Sequence, residues 1–97
     1  MIVRIVKLSL YPDKIGQFLQ SFNDVKEQIR TFEGCHHMEL LTDPAGSGIV
    51  FTYSTWENEG FLDNYRNSEL FQTTWACVKP LFASKAEAWT LNKYDLV

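Results

Sequence analysis

At the start of the chain Ile2, Arg4, Val6, Leu8 and Leu10 alternate with Val3, Ile5, Lys7 and Ser9, and both sets are largely apolar. An apolar parity marks a buried face, so this segment reads as a strand covered on both sides. One layer of helices covers one side only. The remaining cover cannot come from a second core, because 97 residues supply a single domain, spanning 1–97, and little more.

Tyr11-Pro12-Asp13 ends the strand. From Lys14 onward Ile15, Phe18, Leu19, Phe22, Val25, Ile29 and Phe32 recur at spacings of three and four, which is one apolar stripe on a long helix. Glu33-Gly34 stops it, with Gly34 suited to a left-handed C-terminal position. Residues 35–42 and 49–56 follow as strands of an antiparallel hairpin, joined by the turn formers Asp43-Pro44-Ala45-Gly46-Ser47-Gly48. Asn58 and Ser68 are set as N-caps of two short helices, the second carrying Leu70, Phe71, Trp75 and Val78 on one side before Pro80 interrupts it. After a turn near residues 83–86, residues 89–94 make the last strand.

Strand, helix, strand, strand, helix pair, strand is the order of an α+β, ferredoxin-like split βαβ domain, a four-stranded antiparallel sheet with helices on one face. The third strand repeats the two-sided pattern of the first, Ile49, Phe51 and Tyr53 against Val50 and Trp56. The face without helices is then an apolar patch larger than a monomer tolerates. A two-fold homodimer packing sheet against sheet covers it, and Tyr94, Leu96 and Val97 extend across that interface.

Seven Phe, four Tyr and three Trp are rich for this length and predict an ordered core or an aromatic pocket. The net charge of −3, with mixed signs and no run of Lys or Arg, leaves no footprint for nucleic acid or an anionic membrane surface. Cys35 and Cys77 have no ligand spacing around them and read as reduced core residues. The N-terminal apolar run, broken by Arg4 and Lys7, is too short for a signal peptide or a spanning helix, so the expected location is cytoplasmic. Asp, Glu and His show no metal-ligand spacing and no Gly-rich loop follows a strand, so neither a metal nor a nucleotide cofactor is expected.

The segments IVRIVKLSL with YPDK after it, EGCHHMEL, TYSTWEN and YRNSELF, in that order, resemble the antibiotic-biosynthesis monooxygenase domain of the dimeric α+β-barrel superfamily. The resemblance implies a homodimer and, in some members, oxidation of quinols or polycyclic phenols by molecular oxygen with no metal or flavin. Many members place Glu two residues before the strand-terminal Trp, His nine residues after it and a second His five further on; here those positions are Ser54, Tyr65 and Leu70. Proton handling would pass to Tyr65, Arg66, His36 or His37. The haem-degrading branch needs an axial His on the same helix, and the segment from Asn58 to Pro80 has none.

Cofactor-free oxygenation needs a bound phenol to lose its proton inside an apolar site that excludes water. Phe51, Tyr53, Trp56, Tyr65, Phe71, Trp75 and Trp89 would wall such a site for a small aromatic ligand, and Arg66 would stabilise the phenolate. Histidine as a residue type suits proton acceptance near neutrality, His36 and His37 are the only two in the chain, and as strand neighbours at most one of them faces the pocket. Each residue also has a plain role: aromatic core, solvated helix charge, surface imidazole. Three readings follow, an oxygenase, a binding domain without turnover, and a solidly packed interaction domain.

Overall fold

The computed structural model describes residues 1–97. Along the chain lie β1 (Ile2–Ser9), α1 (Ile15–Arg30), β2 (Cys35–Thr42), β3 (Ile49–Trp56), α2 (Glu59–Arg66), α3 (Glu69–Val78) and β4 (Glu87–Asn92), with 3-10 turns at Pro12–Lys14 and Lys79–Leu81. The four strands form one antiparallel sheet in the order β2-β3-β1-β4, the ferredoxin-like arrangement.

Local chemistry sets the boundaries. Gly34 sits at φ +88°, and a Cβ there would lie 2.3 Å from Phe61 Cβ, so only glycine fits between the end of α1 and α2. Asn58 accepts a hydrogen bond from the Phe61 N–H and Ser68 from the Phe71 N–H, capping α2 and α3 as expected. Phe32 falls beyond α1, which ends at Arg30, and packs against Trp56 and Tyr65. The last strand is displaced from the expected 89–94. Its ladder with β1 runs from Glu87 opposite Lys7 to Asn92 opposite Ile2, where β1 is exhausted and Lys93 has no partner backbone. The Lys7–Glu87 ion pair, 3.6 Å, marks the true start.

Helices cover the face carrying Ile2, Arg4, Val6 and Leu8 of β1 and Val50, Thr52, Ser54 and Trp56 of β3. The core on that side is split. Leu8, Leu10, Phe18, Val50, Val78 and Leu81 form one buried cluster, and Ile2, Cys35, Trp56 and Leu62 form another. Cys77 is not part of either: it is exposed on α3, its Sγ 3.8 Å from Ser21 Oγ, because the inward stripe of that helix runs through Phe71, Trp75 and Val78. The opposite face of the sheet carries no helix. Across it run the rows Glu39, Tyr53, Ile5, Trp89 and His37, Thr55, Val3, Leu91, with Leu41 beside Phe51. No helix is long and apolar enough to cross a membrane.

Candidate functional site

A cavity of about 350 Å³ separates the two core clusters, within the roughly 300–1,000 Å³ span of small-molecule sites. Its floor is built of short side chains, Thr52 and Ser54 on β3 and Ala86 and Ala88 beside β1, which leave the volume that Phe or Leu would have filled. Its roof comes from Phe18, Phe22, Val25 and Ile29 of α1 and from Tyr65, Phe71 and Trp75 of α2 and α3.

The aromatic wall is continuous. Tyr65 stacks on Trp56 with centroids 5.0 Å apart and meets Phe71 edge-on at 5.3 Å. Phe71 stacks on Trp75 at 5.6 Å, and Trp75 meets Phe82 edge-on at 5.3 Å. Phe32 backs Tyr65 from outside the cavity, edge-on at 5.4 Å. Phe32 and Phe82 were not expected here: the apolar stripe counts Phe32 as its last member but α1 ends before it, and Phe82 follows the 3-10 turn at Lys79–Leu81.

Polar groups in the cavity are few. Trp56, 1% exposed, donates its indole N–H to Ser54 Oγ at 3.0 Å, and Ser54 in turn reaches the Arg4 carbonyl at 3.5 Å. Both hydrogen-bonding roles of that hydroxyl are therefore occupied. Burial pushes the Tyr65 phenol up to about 12, with the nearby Cys35 adding to the effect. It is a neutral donor at physiological pH, not a base. Burial likewise raises the Cys35 thiol, against the pull of the His37 backbone and Arg30. Arg4 projects from the floor, its Nη1 donating to Thr90 Oγ1 at 2.8 Å, and Arg66 lies at the helix side. Arg4 was missed in the sequence, although a charged residue on the buried parity of β1 was a visible signal.

Several expected site residues lie elsewhere. Phe51, Tyr53 and Trp89 occupy the helix-free face, because they share parity with Ile5 and Lys7 and oppose that of Trp56. A bulge between Cys35 and His37 leaves His36 unpaired and places His37 opposite Thr55, also on that face. His37 Nε2 lies 3.2 Å from Glu39 and His36 Nε2 4.0 Å from Glu57, so neither imidazole lines the cavity. Leu70 borders a separate shallow hollow with Phe61 and Asn64. Of the expected residues, Trp56, Tyr65, Arg66, Phe71 and Trp75 share one cavity. No carboxylate or imidazole joins them, and no cluster of His, Cys, Asp and Glu could hold a metal ion.

Known structures share this architecture. The chain aligns with a conserved protein from Methanosarcina mazei Go1 at 21% identity and TM-score 0.89, covering 97% of this chain and 94% of that one. It aligns with a protein described as an antibiotic biosynthesis monooxygenase at 17% identity and TM-score 0.90, covering 98% and 100%. With Rv0793 from Mycobacterium tuberculosis the identity is 18% and the TM-score 0.88, covering 98% and 96%. At such identities the likeness shows the fold. No curated protein matches the chain. The sequence profile of antibiotic biosynthesis monooxygenases, however, matches residues 1–76, and on that match, which takes in β1 through most of α3, the chain belongs to the antibiotic biosynthesis monooxygenase family.

Proposed function

We propose that the cavity binds a small quinol or polycyclic phenol and oxidises it with molecular oxygen, without metal or flavin. The observation that carries this reading is the ligand-sized cavity walled by Trp56, Tyr65, Phe71 and Trp75 in a chain of this family. Aromatic walls hold a flat ring by stacking and exclude water from reactive intermediates. The electron balance needs no cofactor: a phenol with a free para carbon plus O₂ gives a quinone plus water. One oxygen atom enters the ring, and the other leaves with the hydrogens of the O–H and C–H bonds. Arg66 stabilises the phenolate, and Tyr65 donates a hydrogen bond. With no carboxylate or imidazole in the lining, the phenol gives up its proton to solvent before the ring is enclosed by the wall.

The functional unit in this reading is a homodimer. Ile5, Phe51, Tyr53, Trp89 and Leu91 form an apolar surface on the helix-free face, and a second copy of the chain is its natural cover.

A second reading is a binding domain without turnover, favoured by the absence of any carboxylate or imidazole from the cavity lining. Oxygen uptake by the metal-stripped protein with quinols, naphthols and anthrols separates the two. Protein-dependent uptake that falls in Tyr65→Phe and Arg66→Ala supports the oxygenase. Thermal stabilisation by the same compounds with uptake no faster than autoxidation supports the binder.

A further inference from the structure

Two arginines, Arg4 and Arg66, line one apolar cavity and neither makes an ion pair. The ion pairs of the chain, Lys7–Glu87, His36–Glu57 and His37–Glu39, lie elsewhere, and no carboxylate lines the cavity. Arg4 is half-buried on the floor, on the same face of β1 as Ile2, Val6 and Leu8, where the strand pattern calls for an apolar residue. Its guanidinium has five N–H donors, and Thr90 Oγ1 takes one bond at 2.8 Å. Burial first, and repulsion from Arg66 second, disfavour its charge, while Asp63 offsets them from beyond ion-pair distance. Arg66 is exposed, so water relieves its charge, and the half-buried Arg4 is the member of the pair that gains most from an entering anion.

We propose that Arg4 and Arg66 form a clamp for a carboxylate, and that the cavity selects planar aromatic acids over neutral aromatics of the same size. The reading rests on the cavity being the ligand site proposed above and deepens it by naming the substrate class. The planar fork of Arg4 matches the two oxygens of a carboxylate, and Thr90 fixes one edge of that fork. The ring system lies against the aromatic wall. Arg4 stands opposite Ser54, the hydroxyl that holds the Trp56 indole, and Arg66 follows Tyr65 on α2, so the anionic group is held at the Trp56–Tyr65 end of the wall and the acid orients the ring as well as anchoring it.

The test compares 2-naphthoate with 2-naphthol, equal in ring size and unequal in charge at pH 7, by calorimetric titration of the full chain. The expected result is naphthoate binding tighter by about tenfold or more. Arg4→Gln removes that preference, Arg66→Gln narrows it, and Arg4→Lys restores part of it. Equal affinities in the unmodified protein, a preference that survives Arg4→Gln, or no saturable binding of either compound would overturn the clamp. The wild-type comparison stands even if the Arg4 variant misfolds. The oxygenase reading fails separately: naphthoate preference without oxygen uptake by any hydroxylated aromatic keeps the clamp and removes the oxygenase, whereas naphthol oxidation without preference does the reverse.

Discussion

Tyr65 lies over Trp56 with ring centroids 5.0 Å apart and planes inclined by 25°. The contact withdraws the phenol from water and raises its pKa from 10.0 to about 12. A group with a raised pKa contributes its full stability below the unfolded value and loses it as pH climbs through the folded one. The loss therefore falls between pH 10 and about 12, and a shift of that size corresponds to about 2–3 kcal/mol. Urea unfolding at pH 9 and at pH 11.5 should show the wild type losing more stability than Tyr65→Phe, which keeps the stack and cannot ionise. Equal losses would mean that the phenol is solvated.

Ser54→Ala removes the acceptor of the Trp56 indole N–H, which is 3.0 Å away on a residue 1% exposed. An orphaned buried donor costs about 1–3 kcal/mol, more than the loss of a solvent-facing hydroxyl. Chemical denaturation followed by tryptophan fluorescence measures it. A change below about 0.5 kcal/mol, the scale of an ordinary surface substitution, would show that the indole finds another partner.

Gly34→Ala meets two obstacles at once, φ of +88° and a Cβ position 2.3 Å from Phe61 Cβ. The strain and the displaced ring are expected to cost about 2–3 kcal/mol, read as a lowered thermal midpoint. By contrast Gly46, also at positive φ but with open space around it, should lose less on the same substitution.

Leu91 is 47% exposed on the helix-free face, beside Val3. If a second copy covers that face, Leu91→Arg buries an unpaired charge at the interface and breaks the dimer. Light scattering at micromolar concentration should give twice the chain mass of 11.3 kDa for the wild type and the chain mass for the variant. A monomeric wild type would refute the dimer directly.

Much of the fold was legible in local chemistry. Turn formers at 43–48 bracket β2 and β3, and the caps Asn58 and Ser68 announce their helices. The site was legible in part. Alternation along β3 already separated Tyr53 and Phe51 from Trp56, and a stricter use of period two would have kept them apart. Trp89 needed the register of β4, which is fixed by where β1 begins and ends, a non-local fact. Arg4 acquires meaning only once Thr90 on β4 and Arg66 on α2 are brought around it.

The bulge at His36 acts as a phase shift in β2. Cys35 faces the core before it, and Met38 faces the cavity after it. Unbroken alternation from Cys35 would turn His37 inward and Met38 outward, placing an imidazole where a thioether now stands. Whether the cavity owns a group that titrates near neutrality is thus set by the length of a strand segment, and insertions or deletions there would reassign its acid–base character without altering a single side chain of the wall.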